Sequence, residues 1–425
     1  MSRPDQRGVR GAVMRFVTTI MLGLALAGCG GRLIPQSAST PSTKAPAAKP
    51  IVRATPLTPQ AVTVGAGPNA RSIGVVAAPG GIEYDAASAT RALKAFRISC
   101  PSLVKRTDQS GLTAPADWQP ACVAAKNWPD GDARTFFTQY FDLVQVGDGK
   151  AFATGYYEPE IAGSRTRSKG YDVPVYKRPP ELVELDLGQF SDSLKGKKIR
   201  GRVEGKTFIP YADRTGIETG ALEGRSLEIA WAADAIDFFV LQIQGSGRLR
   251  LPDGSVMRIG YDGQNGRDYT GIGKLMKDRG LLGPGQSSMQ GIESWLRANP
   301  SEGQAIMREN KSWVFFREIT GAGPLGALGL PVTGKASVAT DPMFVPLGAP
   351  VLLSMDRADA SGIWIAQDTG GAIKGSNRFD TFWGAGDDAR ATAGGMSARG
   401  TAFVFLPKDV IARIGAGAGN APSQR

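Results

Sequence analysis

Three stretches in the last quarter of the chain share one grammar: an aspartate beside turn residues at the end of a strand-like run. They are Ala339-Thr340-Asp341-Pro342, Ala366-Gln367-Asp368-Thr369-Gly370-Gly371-Ala372-Ile373-Lys374-Gly375 and Arg378-Phe379-Asp380-Thr381-Phe382-Trp383-Gly384. The chain has no histidine, so acid/base chemistry near neutral pH falls to a carboxyl, lysine or tyrosine with a shifted pKa. Imidazole-dependent serine or cysteine hydrolysis and histidine-based metal sites are excluded. Three cysteines without a C-x-x-C pair leave neither a redox motif nor a cysteine-rich zinc site. Asp380 lies between Phe379 and Phe382-Trp383. Aromatic neighbours desolvate a carboxyl and raise its pKa, and a second carboxylate nearby raises it further. One such aspartate reads as a turn former or helix cap. Three in a chain without imidazole read as a carboxyl-based acid/base site, with Gly370-Gly371 permitting close approach of a ligand.

Two nucleotide-site look-alikes fail on local chemistry. Gly321-Ala322-Gly323-Pro324-Leu325-Gly326 has the spacing of a dinucleotide fingerprint, but its proline precludes the helix that would receive a pyrophosphate. The run from Gly329 to Gly334-Lys335 ends in Ala336, where a phosphate loop needs a metal-binding Ser or Thr.

The elements that must hold these residues are mostly strands. Gly 56 and Pro 28 indicate many turns and a mainly β architecture with flanking helices. Residues 84–140 carry helical spacing, with Leu93, Phe96, Cys100, Leu103 and Val104 on one face. A hairpin is predicted from 143–146, a Gly147-Asp148-Gly149 turn and 151–157. Alternation of Phe239, Leu241 and Ile243 predicts a half-buried strand, and Met289, Ile292, Trp295 and Leu296 a helix ending at Asn299-Pro300. Strands are predicted at 337–339, 350–353, 362–366 and 402–406, and residues 409–425 as a flexible tail.

The N-terminus reads as an export address. Arg3, Arg7, Arg10 and Arg15 precede an apolar run from Phe16 to Ala27, too short to span a bilayer but right for a signal peptide. It ends in Leu26-Ala27-Gly28-Cys29, a lipobox-like pattern that makes 1–28 the signal peptide and Cys29 the acylated residue. Gly30 favours outer-membrane sorting, on the periplasmic face. Residues 29–83, rich in proline and free of acidic residues from 30 to 82, read as the lipidated cysteine and a disordered linker. In an oxidising compartment Cys100 and Cys122, the two cysteines left, are expected to form a disulfide. The net charge of +11 suits an anionic partner.

The set Asp341, Asp368-x-Gly-Gly-Ala-Ile-Lys-Gly375 and Asp380-x-Phe-Trp-Gly384 resembles the three-aspartate domain of the membrane-bound lytic murein transglycosylase A family. The likeness extends through Gly155-Tyr156-Tyr157-Glu158-Pro159, Gln244-Gly245-Ser246-Gly247, Tyr261-Asp262-Gly263-x-Asn265-Gly266, Tyr269-x-x-Ile272-Gly273, Ser288-Met289-Gln290-x-Ile292 and Val314-Phe315-Phe316. The resemblance implies a discontinuous double-psi β-barrel from 84–165 plus 317–408, a smaller β-barrel inserted at 166–316, and a glycan groove between them. It implies cleavage of the β-1,4 bond between N-acetylmuramic acid and N-acetylglucosamine with a 1,6-anhydromuramyl product, and no metal or organic cofactor. Asp380 matches the catalytic aspartate, Asp368 its tuning neighbour, and Asp341 is expected to support a turn. Tyr156, Tyr157, Gln244, Ser246, Gly247, Tyr261, Asn265, Gly370, Lys374 and Trp383 are candidate glycan contacts. Expected partners are peptidoglycan strands, outer-membrane lipid through Cys29 and cell-wall synthesis proteins, with no nucleic acid. Two rival readings remain open on the residues alone. One is an inverting glycoside hydrolase, which needs a second carboxylate to activate water. The other is a non-catalytic, expansin-like glycan-binding lipoprotein.

Overall fold

The computed structural model describes residues 51–418. The signal peptide, Cys29 and the first part of the expected linker lie outside the described residues. Helix Ala86–Leu103 starts where the Asp85 side chain accepts the Ser88 N–H at 2.7 Å. It buries Ala89, Ala92, Leu93 and Phe96. Cys100 in its last turn forms a disulfide with Cys122 of helix Gln119–Ala125, with the two Cα atoms 5.5 Å apart.

The strands in chain order are β1 (Val75–Ala77), β2 (Phe141–Val146), β3 (Lys150–Glu158), β4 (Glu160–Ser164), β5 (Val173–Tyr176), β6 (Val183–Asp186), β7 (Lys198–Glu204), β8 (Thr207–Pro210), β9 (Glu228–Ala232), β10 (Ser246–Arg250), β11 (Val256–Gln264), β12 (Val314–Glu318), β13 (Ser337–Ala339), β14 (Pro350–Met355), β15 (Gly362–Asp368), β16 (Arg378–Ala385) and β17 (Ser397–Pro407). The pairings β17–β14, β14–β15, β15–β13, β13–β16, β16–β3 and β3–β17 close a six-stranded ring. Two of them, β13–β15 and β3–β16, are parallel. The strands β14 and β15 are buried along nearly their whole length; at β15 one side faces the barrel interior and helix Ala86–Leu103 covers the other. Gly362 illustrates the closeness of that cover. Its φ is +123°, and a Cβ there would lie 2.8 Å from the Ser88 side chain of helix Ala86–Leu103.

Between β3 and β13 the chain builds a second sheet in the order β12-β11-β10-β4-β9-β5. Its two edges approach each other: the Tyr176 ring on β5 lies 6.4 Å from Trp313, the residue before β12. Phe238, Leu249, Ile259, Phe315 and Phe316 fill this core. A separate sheet, β6-β7-β8, and the helices Ile272–Asp278, Met289–Ala298 and Pro300–Glu309 complete the insertion.

Five expectations need correction. The segments 141–146 and 150–158 are strands but not a hairpin: both run antiparallel to β17, one after the other along the same edge. Gly147 and Gly149, at φ +56° and +68°, accommodate the bulge that lets the chain continue rather than reverse. The segment 235–244 is a helix, not a strand. Its apolar residues run almost unbroken, so alternation is not diagnostic. Asp234 caps it by accepting the N–H of Ile236 and Asp237, and Gly245 ends it at φ +78°. The linker does not run to residue 83. Within 51–83, Gln60 and Gln145 exchange hydrogen bonds of 2.7 and 2.9 Å, Leu57 N–H donates to Ser354, and β1 pairs with β2. The free edge of β2, outside the ring, thereby gains a partner. The insertion begins at β4, not after 165, since residues 160–164 already pair with β10 and β9. Residues 410–418 form a helix within the expected tail.

Closing the loop between residues 100 and 122 restricts the unfolded chain, by roughly 3 kcal/mol on a loop-entropy basis. Replacing both cysteines by alanine is expected to lower the unfolding free energy by 2–4 kcal/mol, on the order of a typical native disulfide. Equal denaturant midpoints with and without the pair would show the bridge to be energetically idle.

Candidate active site

The short strand β13 brings the acidic residues together. Ala339 pairs with Asp368 of β15 on one side and with Asp380 of β16 on the other. Both aspartates therefore stand at the same level, on strand backbones roughly 10 Å apart, twice the inter-strand spacing. Asp341 follows two residues beyond Ala339.

Asp380 is half-buried, and its Oδ1 accepts the hydroxyl of Thr154 at 2.6 Å. Thr154 is its register partner on β3. Arg378 donates through Nη2 to the same Thr154 oxygen at 2.9 Å, so the threonine proton is directed toward Asp380. Arg378 is held over the Phe152 ring, 4.9 Å from its centroid. Burial pushes the Asp380 pKa up to about 6; the Thr154 hydrogen bond and the Arg378 charge oppose the rise, and Asp368 adds to it.

Asp368 is fully engaged. Its Oδ2 accepts the Tyr156 hydroxyl at 2.9 Å, and its Oδ1 accepts the N–H of Ala327 at 3.0 Å and of Thr369 at 2.9 Å. Burial nonetheless raises its pKa to about 6. Asp341 is buried and accepts the N–H of Met343 (3.1 Å) and of Gly375 (2.8 Å). It ties the turn after β13 to the loop that follows Asp368, as a supporting residue would.

The other expected contacts divide. Tyr156 stacks at 4.9 Å on Phe382 and spends its hydroxyl on Asp368, so it shapes the carboxyl pair rather than offering an open sugar platform. Tyr157 is buried, and its N–H donates to Gln244 Oε1 at 3.0 Å, which pins a helix end to β3. Ser246 is buried, and Gly247 is required by packing: a Cβ there would lie 2.3 Å from Leu241. Asn265 is wholly buried; its amide donates to Ala212 and Lys311 carbonyls and its oxygen accepts the Trp313 N–H, each at 2.9 Å. Trp383 is buried against Trp364, its indole N–H donating to Thr381. Asn265 and Trp383 are scaffold because their polar groups already have internal partners, and Tyr157, Ser246 and Gly247 because they are buried or tightly packed. Tyr261 is 45% exposed, and Lys374 is exposed in the loop with Gly370, whose carbonyl accepts the Ile373 N–H.

Sequence reasoning did not assign Thr154, Arg378 or Tyr269. Tyr269, 40% exposed on the insertion, lies over Gly371, where a Cβ would be 3.9 Å from its own Cβ. Burial and the Asp380 charge both raise its pKa, which keeps the phenol a donor. Its signal was present in the Tyr269-x-x-Ile272-Gly273 motif. Thr154 carried no signal until β3 and β16 were paired.

A closed β-barrel with two carboxyls tuned to titrate near pH 6 defines a carboxylate-based enzyme site. Residues 152–317 match the MltA specific insert domain and residues 336–406 the 3D domain. Membrane-bound lytic murein transglycosylase A of Escherichia coli K12 is 31% identical over 299 residues, covering 66% of this chain and 74% of that protein. The Vibrio cholerae counterpart is 30% identical over 294 residues, 65% and 73% of the two chains. Among solved structures, the membrane-bound lytic murein transglycosylase of Agrobacterium tumefaciens superposes with a TM-score of 0.67 at 30% identity, over 76% of this chain and 95% of that one. MltA of Neisseria gonorrhoeae gives 0.64 at 33% identity, over 83% and 98%. The chain belongs to the membrane-bound lytic murein transglycosylase A family, and its ring and insertion are that family's double-psi β-barrel with an inserted smaller β domain.

A carboxyl whose folded pKa is raised binds its proton more tightly when folded, so the fold loses stability as pH climbs from about 4 through about 6. Asp380→Asn removes that penalty. It is expected to be more stable than the parent at pH 8, by up to about 3 kcal/mol for a rise of about two units, with most of the difference gone at pH 4. A gap in unfolding free energy that stays constant from pH 4 to 8 would contradict the raised pKa.

Proposed function

We propose that the site at Asp380 cleaves the β-1,4 bond between N-acetylmuramic acid and N-acetylglucosamine in peptidoglycan, with Asp380 serving as the one acid and base. The family membership makes the chain a peptidoglycan lytic transglycosylase; the residue roles are inferred from the site. Protonated Asp380 gives its proton to the bridging oxygen as the bond from the muramyl C1 breaks. The resulting carboxylate takes the proton of the muramyl C6 hydroxyl as O6 bonds to C1. No water is consumed, and Asp380 ends as it began. The attacking hydroxyl belongs to the sugar itself, and well-oriented intramolecular attack can reach effective molarities of ~10⁵ M or more.

One observation carries this reading over the inverting hydrolase. That mechanism needs a free carboxylate to activate water. Asp368 has both oxygens committed to Tyr156, Ala327 and Thr369, and Asp341 both of its own to Met343 and Gly375. Asp380 alone of the three keeps an oxygen with no internal donor among these contacts. A structure of the E. coli relative carries chitohexaose, at 26% identity and a TM-score of 0.57, which supports an oligosaccharide as the ligand class. The exposed faces of Tyr261 and Tyr269 are the sugar contacts proposed for the insertion.

Asp380→Asn is expected to lower muropeptide release from purified sacculi by at least 10³-fold, at the upper part of the range for a lost general acid, while retaining sacculus binding. Products of the parent enzyme are expected to be one water lighter than hydrolytic fragments by mass spectrometry. Reducing muramic ends, or a brisk Asn variant, would sink the single-acid reading.

The relatives are named membrane-bound, and no helix among the described residues is long and apolar enough to cross a membrane. Acylation of Cys29 is the proposed anchor, placing the enzyme on the periplasmic face of the outer membrane. Cys29→Ala is expected to make it extractable from membranes by a high-salt wash, into the soluble fraction, with activity intact. Recovery of that variant with outer membranes after a salt wash would refute the acyl anchor.

A further inference from the structure

We propose that the sheet β6-β7-β8 presents a docking surface for an anionic lipid bilayer. Its antiparallel register places Val183 opposite Gly201, Leu185 opposite Ile199, Val203 opposite Phe208 and Gly201 opposite Pro210. Directly opposed residues share a face. One face is therefore made of Val183, Leu185, Ile199, Val203, Phe208 and Pro210. None of these is buried, and none joins the hydrophobic cores of the described residues. Ile199 is 42% and Val203 62% exposed, and Phe190, in the β6–β7 connection, is 73% exposed.

The other face is the charged one, and it is the side seated on the molecule. Glu184 pairs there with Lys198 at 2.8 Å and with Arg200 at 2.5 Å. Arg200 packs on the loop after β11, where a Cβ on Gly266 would lie 2.6 Å from the Arg200 Cβ. An amphipathic sheet ordinarily buries its apolar face and wets its polar one. Here the mounting is inverted, and a contiguous exposed apolar patch marks an interaction site.

Charge selects the occupant. Exposed Lys197 and Lys206 flank the patch at the strand ends, with Lys195 beside them held to Asp192 at 2.8 Å, and beyond the signal peptide's net +3 the chain carries +8 of its +11. A second copy would bring the same cations against themselves. An anionic head-group layer complements them while its acyl region receives the apolar side chains. The patch would hold the insertion against the membrane independently of any acyl group.

The test uses the mature chain carrying Cys29→Ala, which has no acyl anchor, sedimented with vesicles of phosphatidylcholine or of equal parts phosphatidylcholine and phosphatidylglycerol. Binding is expected to the second only, and to fall as salt is raised. Ile199→Glu with Val203→Glu is expected to weaken it about tenfold or more, with sacculus digestion unchanged. Phe190→Ala, in an exposed connection, is expected to weaken it by about threefold and guards against misfolding of the double variant. Absence of binding to anionic vesicles, or equal binding by both variants, overturns the proposal. So does a parent dimer that the double variant converts to monomer, which would assign the face to self-association. Loss of sacculus binding with vesicle binding intact would assign it to the wall and equally overturn the proposal.

Discussion

A strand of three residues sets the geometry of the active centre. β13 lies between β15 and β16, and Ala339 is the common register partner of Asp368 and Asp380. Strand spacing is fixed by hydrogen bonding, so the two carboxyls are held at a separation that neither side chain can close by rotation alone. Slipping either neighbour by one residue would turn its aspartate to the opposite face of the barrel wall. The buried, nearly continuous apolar strands β14 and β15 resist such a slip, because it would carry their side chains out of a filled core.

Within that frame the two aspartates are differentiated by their partners. Asp368 receives three donors and serves as a fixed part of the wall. Asp380 receives one hydroxyl, from Thr154, which is itself oriented by Arg378. Burial favours the protonated acid and the single donor favours the carboxylate; the opposition leaves a pKa of about 6. A general acid is most useful when its pKa lies near the working pH. The arrangement achieves this with no imidazole.

The chemistry was more legible in the sequence than its scaffold. Asp341, Asp368 and Asp380 stood out because turn residues recur beside them, and the missing histidines forced the question of what else could move a proton. The apolar strands 350–355 and 362–368 were legible for the same reason they are stable, a long run of buried side chains. What stayed hidden is non-local. Thr154 is unremarkable until β3 lies beside β16, and Arg378 until its guanidinium reaches that threonine. Asn265, Trp383 and Gly247 looked like ligand contacts because amides, aromatics and glycines serve both sugars and cores. Only the placement of their internal partners separates the two uses. Helix Ala235–Gln244 shows no clear helical period in the sequence because Phe238 to Gln242 are buried in succession and its apolar residues run around the helix.

The ring closes at its far end in sequence. β17 touches β14, β2 and β3, and two of those three strands lie before the insertion. A chain emerging N-terminus first can complete the inserted domain while β3 still lacks its neighbours β16 and β17. The alignment of Asp380 with Thr154 needs β16 beside β3, and the closed barrel must wait until residues 397–407 arrive. Because long-range strand pairing is slow and leaves edges open to wrong partners, the lytic centre is assembled late. A polypeptide cut short before β17 would carry all three aspartates and still have no closed wall to set them in.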